Sequence, residues 1–548
     1  MIGPVARPIR RYLAEHWLVL ATGLAAALPV IVSTVRGLSA GWAPEADQAI
    51  TATRAYDVLT SQTPLVGAWS TTSNLVGDAT FSPGPLLYWL LAVPARLPGV
   101  AALPLTMATV SVASVMGVVA LAFRRGGRPL MFVTAAAVAI MCASLQTEVP
   151  REIWPPSAPV LPFTLLIFLC WSVACGDYRL LPLVALTASF VMQCHLAYVV
   201  PSLGLVAVAL AGLAISRPPE TSRFRRWALA GLVVAAVSWS APVVDQGLGW
   251  AGSDRGYGNL ARLVEAAQSR DQPVGEKGGA YAVVRAIGVP PWWLRAPPPL
   301  AVRAFELFQR PALPALASAL VVFGGLLVLS AVAARRRRWD VGAACALALV
   351  LCGALGVVTA AFPNTGGTVF SYGYASWWAS PAGMWVWLAL GWSAATLLVP
   401  RRALESIRVS ALGAVLGLAG VLCAAVVVSA SQGPDSHEDL YKPARTVIDR
   451  LDGALPSPGR VRVDGGNLEF GSPAVFALRR RGATVGVDFG EQLGTEYLPV
   501  GRTYDQIVDI REGEALPPGA RLLARLKVTK PQRRTFTVSL RPARPGGD

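Results

Sequence analysis

The stretch Arg7–Asp47 reads RPIRRYLAEHWLVLATGLAAALPVIVSTVRGLSAGWAPEAD, and how it is read decides the fold. Three arginines, Arg7, Arg10 and Arg11, precede an apolar run from Trp17 to Val35 that stops at Arg36. A run of that length crosses a bilayer as a helix. A cleaved signal sequence would be shorter and would close on small residues at a cleavage site. The run therefore reads as a retained first helix whose N-terminal arginines stay in the cytoplasm. Glu45 and Asp47 follow a few residues beyond its far end.

The rest of the chain repeats this pattern. Of 548 residues, 54% are hydrophobic and 15% are charged, against about 25% charged in an ordinary soluble chain. Basic residues cluster in short segments between apolar runs: Arg124, Arg125 and Arg128; Arg179; Arg217 to Arg226; Arg335 to Arg338; Arg401 and Arg402. One threading puts all of these segments on the cytoplasmic side and needs about eleven transmembrane helices. Pro83 to Leu97 is apolar but short, with prolines at both ends. Counting it as a crossing would carry Arg124 and Arg125 outside, so it reads as a helix lying in the membrane plane or partly inserted. The expected architecture is a polytopic α-helical membrane part, residues 1–431, with outer loops at 37–99, around 148–154, at 244–310 and at 363–380. The tail, residues 432–548, reads as a small extracytoplasmic α/β domain. It has a helix over Leu440–Leu451 and strands at Val461–Val463, Thr484–Val487, Gln506–Ile510 and Thr535–Leu540.

The net charge of +16 is accounted for by those loops and does not indicate nucleic acid. The seven cysteines lie in or beside apolar runs and have no zinc-ligand spacing. No phosphate-binding loop, dinucleotide fingerprint or Ser/His/Asp order occurs, which argues against a nucleotide-driven pump and against a nucleotide-sugar enzyme.

Chemistry is therefore sought on the outer loops. After Glu45 and Asp47, the residues Ala49, Ile50, Ala52, Ala55, Val58 and Leu59 can line one face of a helix on the membrane. A carboxylate at that place suits a general base toward an acceptor hydroxyl, and it equally suits an N-terminal helix cap. Glu148, Arg151 and Glu152 stand on the short loop beside Trp154. His195 sits at the outer end of a span, as a substrate hydrogen-bond donor or a packed side chain. Asp245 and Gln246 open the long loop, where Asp245 can bind sugar hydroxyls or pair with an arginine. Trp292 and Trp293 can stack on a sugar or anchor the loop.

Several short motifs in order carry a family resemblance. They are Ala46-Asp47-Gln48-Ala49, Pro64-Leu65-Val66-Gly67, Ser82-Pro83-Gly84-Pro85, Trp154-Pro155-Pro156, Gln193-Cys194-His195, Asp245-Gln246 and Gly258-Asn259. The series resembles the GT-C glycosyltransferases of bacteria, which include the dolichyl-phosphate mannosyltransferase-like and aminoarabinose-transferase-like enzymes. It covers about the first half of the chain. Ser82 stands where the pattern usually has His, and Pro155 where it has Asn. The resemblance implies an inverting transfer of a sugar from a polyprenyl-phosphate donor to an extracytoplasmic glycan, lipid or protein, at a bacterial plasma membrane. It implies Asp47 as the base that takes the acceptor proton. Glu45, Ser82, Glu152, Trp154, His195, Asp245, Gln246 and Asn259 would contact substrate, and Arg255 and Arg262 are candidates for the donor phosphate. A divalent metal shared by two outer acids is compatible with the pattern but not demanded by it. Two other function classes fit the topology: a flippase for a lipid-linked precursor, and a non-catalytic glycan-binding scaffold. The apolar runs lack the mid-membrane ionisable residues and internal repeats common in transporters.

Overall fold

The computed structural model describes residues 6–216, 221–252, 258–268, 272–398, 411–454, 459–465, 467–499, 503–529 and 533–543. Seven helices among them are long and apolar enough to cross a membrane. The pair His16–Ala26 and Leu28–Ser39, bent by 48°, gives an eighth. Pro29 at the start of the second arm explains the bend, because it cannot donate to the helix ladder.

The apolar stretch Ala102–Ser144 has 43 residues. At 1.5 Å per residue that is roughly 65 Å, about twice the bilayer core. It breaks at Gly126 and Gly127, and Gly127 adopts φ +65°. Both of its ends reach the C-terminal part of the chain: Arg480 donates to the Gly99 carbonyl at 3.2 Å, and Arg151 pairs with Asp435. The two arms are therefore antiparallel. At the opposite end of the bundle, Arg124 and Arg125 both pair with Asp177, the first at 2.9 Å. Two shorter apolar helices, Val160–Ala174 and Tyr178–Cys194, complete the bundle, and the first is buried almost throughout. Length and composition alone count seven or eight crossings, whereas the charge pattern counts these short helices and both arms of the broken one. Pro83 to Leu97 forms only the short helix Leu86–Leu91 and the turn Pro94–Arg96, too short to cross.

The C-terminal part carries a five-stranded sheet: β1 Arg460–Asp464, β2 Thr484–Val487, β3 Gln506–Glu512, β4 Arg521–Val528 and β5 Arg534–Pro542. The order is β2-β1-β3-β5-β4, with β1 parallel to β2 and β3, and the remaining pairs antiparallel. The helix Glu438–Ala454 includes the expected stripe. Two of the longer elements of this part were not expected from the sequence. One is β4, whose RLLARLKV pattern is charged and only partly buried, as suits an edge strand. The other is the helix Leu468–Arg480, whose internal Gly471 and Pro473 hide its periodicity. Asn467 caps it by accepting from the Glu469 N–H at 2.7 Å.

That second helix changes the reading of the first loop. The helix Ala46–Asp57 exists where expected, but protein covers it. Trp42, Ala43, Ile50, Ala52 and Ala55 share one apolar core with Leu440, Tyr441, Phe470, Ala474 and Phe476. Its polar face is buried as well, so the charges there need partners. Asp57 is fully buried. It accepts from Arg479 Nη2 at 2.7 Å, Tyr497 Oη at 2.5 Å and Arg54 Nη1 at 3.3 Å, and Arg54 also pairs with Glu496.

A second lock ties the first span to the same unit. Arg151, fully buried, pairs with Asp435 and donates from Nε to the Ser33 carbonyl at 3.0 Å. Tyr441 donates to the same Asp435 carboxylate at 2.9 Å. The guanidinium passes over Gly37, where an added Cβ would lie 2.3 Å from Arg151 Cζ. Moving that guanidinium would break its ion pair. Gly37→Ala is therefore expected to destabilise the protein by about 1–3 kcal/mol, read as an earlier unfolding midpoint in denaturant. An unchanged midpoint would show that the guanidinium has room to shift.

Candidate functional site

A cavity of about 870 Å³ opens where four separate segments converge. Glu45 to Gln48 come from the first loop, and Gln146 to Glu148, Glu152 and Trp154 from the short loop. Ala296 to Leu300 come from the long loop, and Ser431 to His437 from the link between the last apolar helix and the sheet unit.

Asp47 lies at its wall. The helix begins at Ala46 after Glu45, so Asp47 sits in the first turn, two residues past the capping position. Its carboxylate is not a cap. It accepts from the Trp154 indole Nε1 at 3.1 Å. Trp154 is itself held edge-on by Tyr374 and Trp377, with centroids 4.7 and 5.7 Å away. Ala46, just before Asp47, has φ +40°, a conformation that only surrounding packing sustains in a residue other than glycine. Asp47 is exposed to the cavity, and the protein groups packed around it displace part of its solvation. That setting raises its pKa above the usual aspartate value, while the indole hydrogen bond and the nearby His437 oppose the shift.

Three further acids share this wall. Glu45 is buried, and burial, aided by Asp47, Glu469, Asp439 and Glu148, lifts its pKa to about 8. Glu152 accepts from Gln48 Nε2 at 3.1 Å, and burial beside Glu148 raises its pKa well above normal. The sign for stability follows from linkage. Glu45 ionises near 4.5 when solvated and near 8 when folded, so folding stability falls as pH rises through that window. Glu45→Gln is expected to match the parent near pH 4 and to exceed it near pH 8.5. Thermal unfolding at the two pH values checks this, and equal stabilities at the higher pH would contradict it.

The remaining candidates gather elsewhere. Asn259 donates to the Phe81 carbonyl at 2.9 Å and accepts from the Phe81 N–H at 2.8 Å. Asp245 accepts from the Asn259 N–H at 3.0 Å, Gln246 from the Ala261 N–H at 3.3 Å, and Arg262 pairs with Asp78 at 3.5 Å. Ser82 is buried beside Gly67, whose N–H donates to its carbonyl at 2.9 Å. These contacts clamp the long loop to the first loop, and none of these residues lines the cavity. His195 is set behind the aromatic wall, 6.0 Å from Tyr374. Its Nδ1 accepts from the Ala197 N–H, and burial holds its pKa down to about 4, so the ring is neutral. Trp292 donates to Glu306 at 2.9 Å and stacks under Arg303 at 4.5 Å. Arg255 lies outside the described residues. No group of three His, Cys, Asp or Glu among the described residues has metal-binding geometry, so the shared metal finds no support here.

Sequence reasoning did not single out His437, Gln48 or Pro297 to Pro299 as cavity residues. His437, one of only three histidines, had a signal in its place just after the last span. The proline run had none.

No family model matches the chain, and no curated protein sequence matches it. Solved structures do. ArnT from Cupriavidus metallidurans bound to undecaprenyl phosphate aligns at TM-score 0.50 and 13% identity, covering 96% of this chain and 98% of that one. The same protein in the apo state aligns at TM-score 0.46 and 14% identity, covering 96% and 98%. The archaeal oligosaccharyltransferase AglB from Archaeoglobus fulgidus, in complex with an inhibitory peptide and a dolichol-phosphate, aligns at TM-score 0.41 and 13% identity, covering 91% and 70%. The chain has a GT-C-type fold, that of a polytopic membrane protein.

Proposed function

We propose that this protein is a membrane glycosyltransferase that moves a sugar from a polyprenyl-phosphate donor to an acceptor on the outer face of a bacterial plasma membrane. The observation that carries the reading is the Asp47 carboxylate, fixed by Trp154 at the wall of a cavity large enough for sugar units, on a GT-C-type fold. In a single displacement, the acceptor oxygen bonds to the anomeric carbon as the bond to the phosphate oxygen breaks. The phosphate leaves with that electron pair, and Asp47 takes the acceptor proton. The configuration inverts. Asp47 suits this role because its raised pKa makes it a stronger base than a solvated aspartate. Trp154 orients it, and the link Ser431 to His437 forms another part of the cavity wall.

The test is transfer of label from a synthetic polyprenyl-phosphate sugar by the purified chain in lipid nanodiscs, scored on membrane-envelope extracts as acceptor. No transfer from any of a set of hexosyl and pentosyl donors would sink the reading. Net movement of an intact lipid-linked sugar across the bilayer, without transfer, would favour the flippase.

A further inference from the structure

The titratable groups on the described lining of the cavity beside Asp47 are four acids and His437. Glu45, Asp47, Glu148 and Glu152 line it, and among its described lining residues there is no lysine or arginine. Arg151, beside Glu152 in the chain, does not line it and is engaged by Asp435 and the Ser33 carbonyl.

The same wall has hydrogen-bonding capacity left over. Glu148 and Glu152 are each less than 5% exposed, and each has one carboxylate oxygen without a partner. The Gln48 side-chain oxygen and both polar atoms of the Gln432 amide are also unpartnered. Buried acceptors left unmade are costly, and a ligand that brings donors relieves that cost. These atoms are buried, and because the terminal torsion of a glutamate is broad and two-fold, rotation about it is the motion that would present such an oxygen to a ligand.

We propose that this chamber selects an acceptor rich in hydroxyl groups and without an anionic group near the reacting hydroxyl, so that phosphorylated and uronic-acid glycans are rejected. Calling the ligand an acceptor rests on the glycosyltransferase reading, whereas the charge selection rests on the wall alone. Hydroxyls supply the donors that the unpartnered oxygens lack. A phosphate or carboxylate supplies none, and the described lining offers it no lysine or arginine to pair with. The raised pKa values of Glu45 and Glu152 show the wall already limiting its own negative charge, and a protonated carboxyl both donates to and accepts from a polyol. Trp154, Leu145, Leu300 and Pro297 to Pro299 give the apolar surface that the C–H faces of a pyranose need.

The protein as a whole carries +16, which would draw anions to it nonspecifically. A preference against them must therefore come from the chamber. The experiment is calorimetric titration of the full chain in nanodiscs with neutral gluco-, manno- and galacto-configured trisaccharides and their uronate counterparts at pH 7. At least one neutral trisaccharide is expected to bind, with its uronate at least tenfold weaker. In the double variant Glu148→Gln/Glu152→Gln that ratio is expected to fall below threefold. A uronate binding as tightly as its neutral counterpart would overturn the proposal. So would a folded wild type that binds no neutral trisaccharide, or a ratio unchanged in the double variant. Absence of sugar transfer with the binding preference intact would instead sink the glycosyltransferase reading and leave the charge selection standing.

Discussion

Asp47→Asn is expected to cut sugar transfer by about a thousandfold or more while leaving the fold intact. Positioned general bases contribute roughly 10²–10⁴-fold, and an amide cannot take the acceptor proton. The asparagine oxygen can still accept from the Trp154 indole, so the geometry at the wall persists. The readout is initial transfer rate, with an unfolding midpoint as control. The pH profile gives a second check. A base works only when ionised, so the rate should climb as pH rises through the Asp47 pKa, which lies above the ordinary aspartate value. Trp154→Phe removes a hydrogen bond that favours the charged form, and the climbing limb should move to still higher pH. A fully active Asp47→Asn variant would refute the mechanism. Full activity in a complementation assay, lost only on deletion of the C-terminal unit, would instead point to a glycan-binding scaffold.

Asp57→Ala is expected to destabilise the protein by about 3–5 kcal/mol, because removing one partner of a buried ion pair strands the others. Here the change takes the shared carboxylate from Tyr497, from Arg479, which keeps its donation to the Ala483 carbonyl, and from Arg54, which keeps its pair with Glu496. The damage should be local before it is global. Asp57 ends the first-loop helix that carries Asp47, and its partners belong to the helix Leu468–Arg480 and the turn at Tyr497. Loss of the network should loosen the sheet unit from the bundle, seen as faster proteolysis within residues 459–543 than elsewhere. Asp57→Asn, which keeps an acceptor oxygen, should lose less. A variant within 1 kcal/mol of the parent, with unchanged cleavage, would show that the shared apolar core alone holds the two parts together.

The membrane helices were readable because their signal is local. An apolar run bounded by arginine is a fact of twenty consecutive residues, and lipid allows few other readings of it. Arg124, Arg125 and Arg179 could be placed at a common end for the same reason, and the structure adds the break at Gly126 and Gly127 and the pairing of Arg124 and Arg125 with Asp177. The strands β1, β2, β3 and β5 showed through their alternation, and β4 did not, because an edge strand keeps its charges. The helix Leu468–Arg480 was hidden by Gly471 and Pro473, and with it the reason for the Asp57 network.

Asp47 shows the boundary most clearly. The sequence by itself determined a carboxylate a few residues past the first span, at the start of an amphipathic helix, and left open whether it was a cap or a base. It also determined the membrane class of the chain. Only the tertiary structure decided that the carboxylate accepts from an indole 107 residues away and does not cap its own helix. Only the tertiary structure set it in a wall with Glu148, Glu152 and His437, while Asn259, Asp245 and Arg262 became a clamp between loops. The physical reason is range. Hydropathy and periodicity are properties of neighbouring residues. A site is a convergence of distant ones, and here it forms because two buried ion-pair locks and one shared core bring the C-terminal unit down onto the first loop.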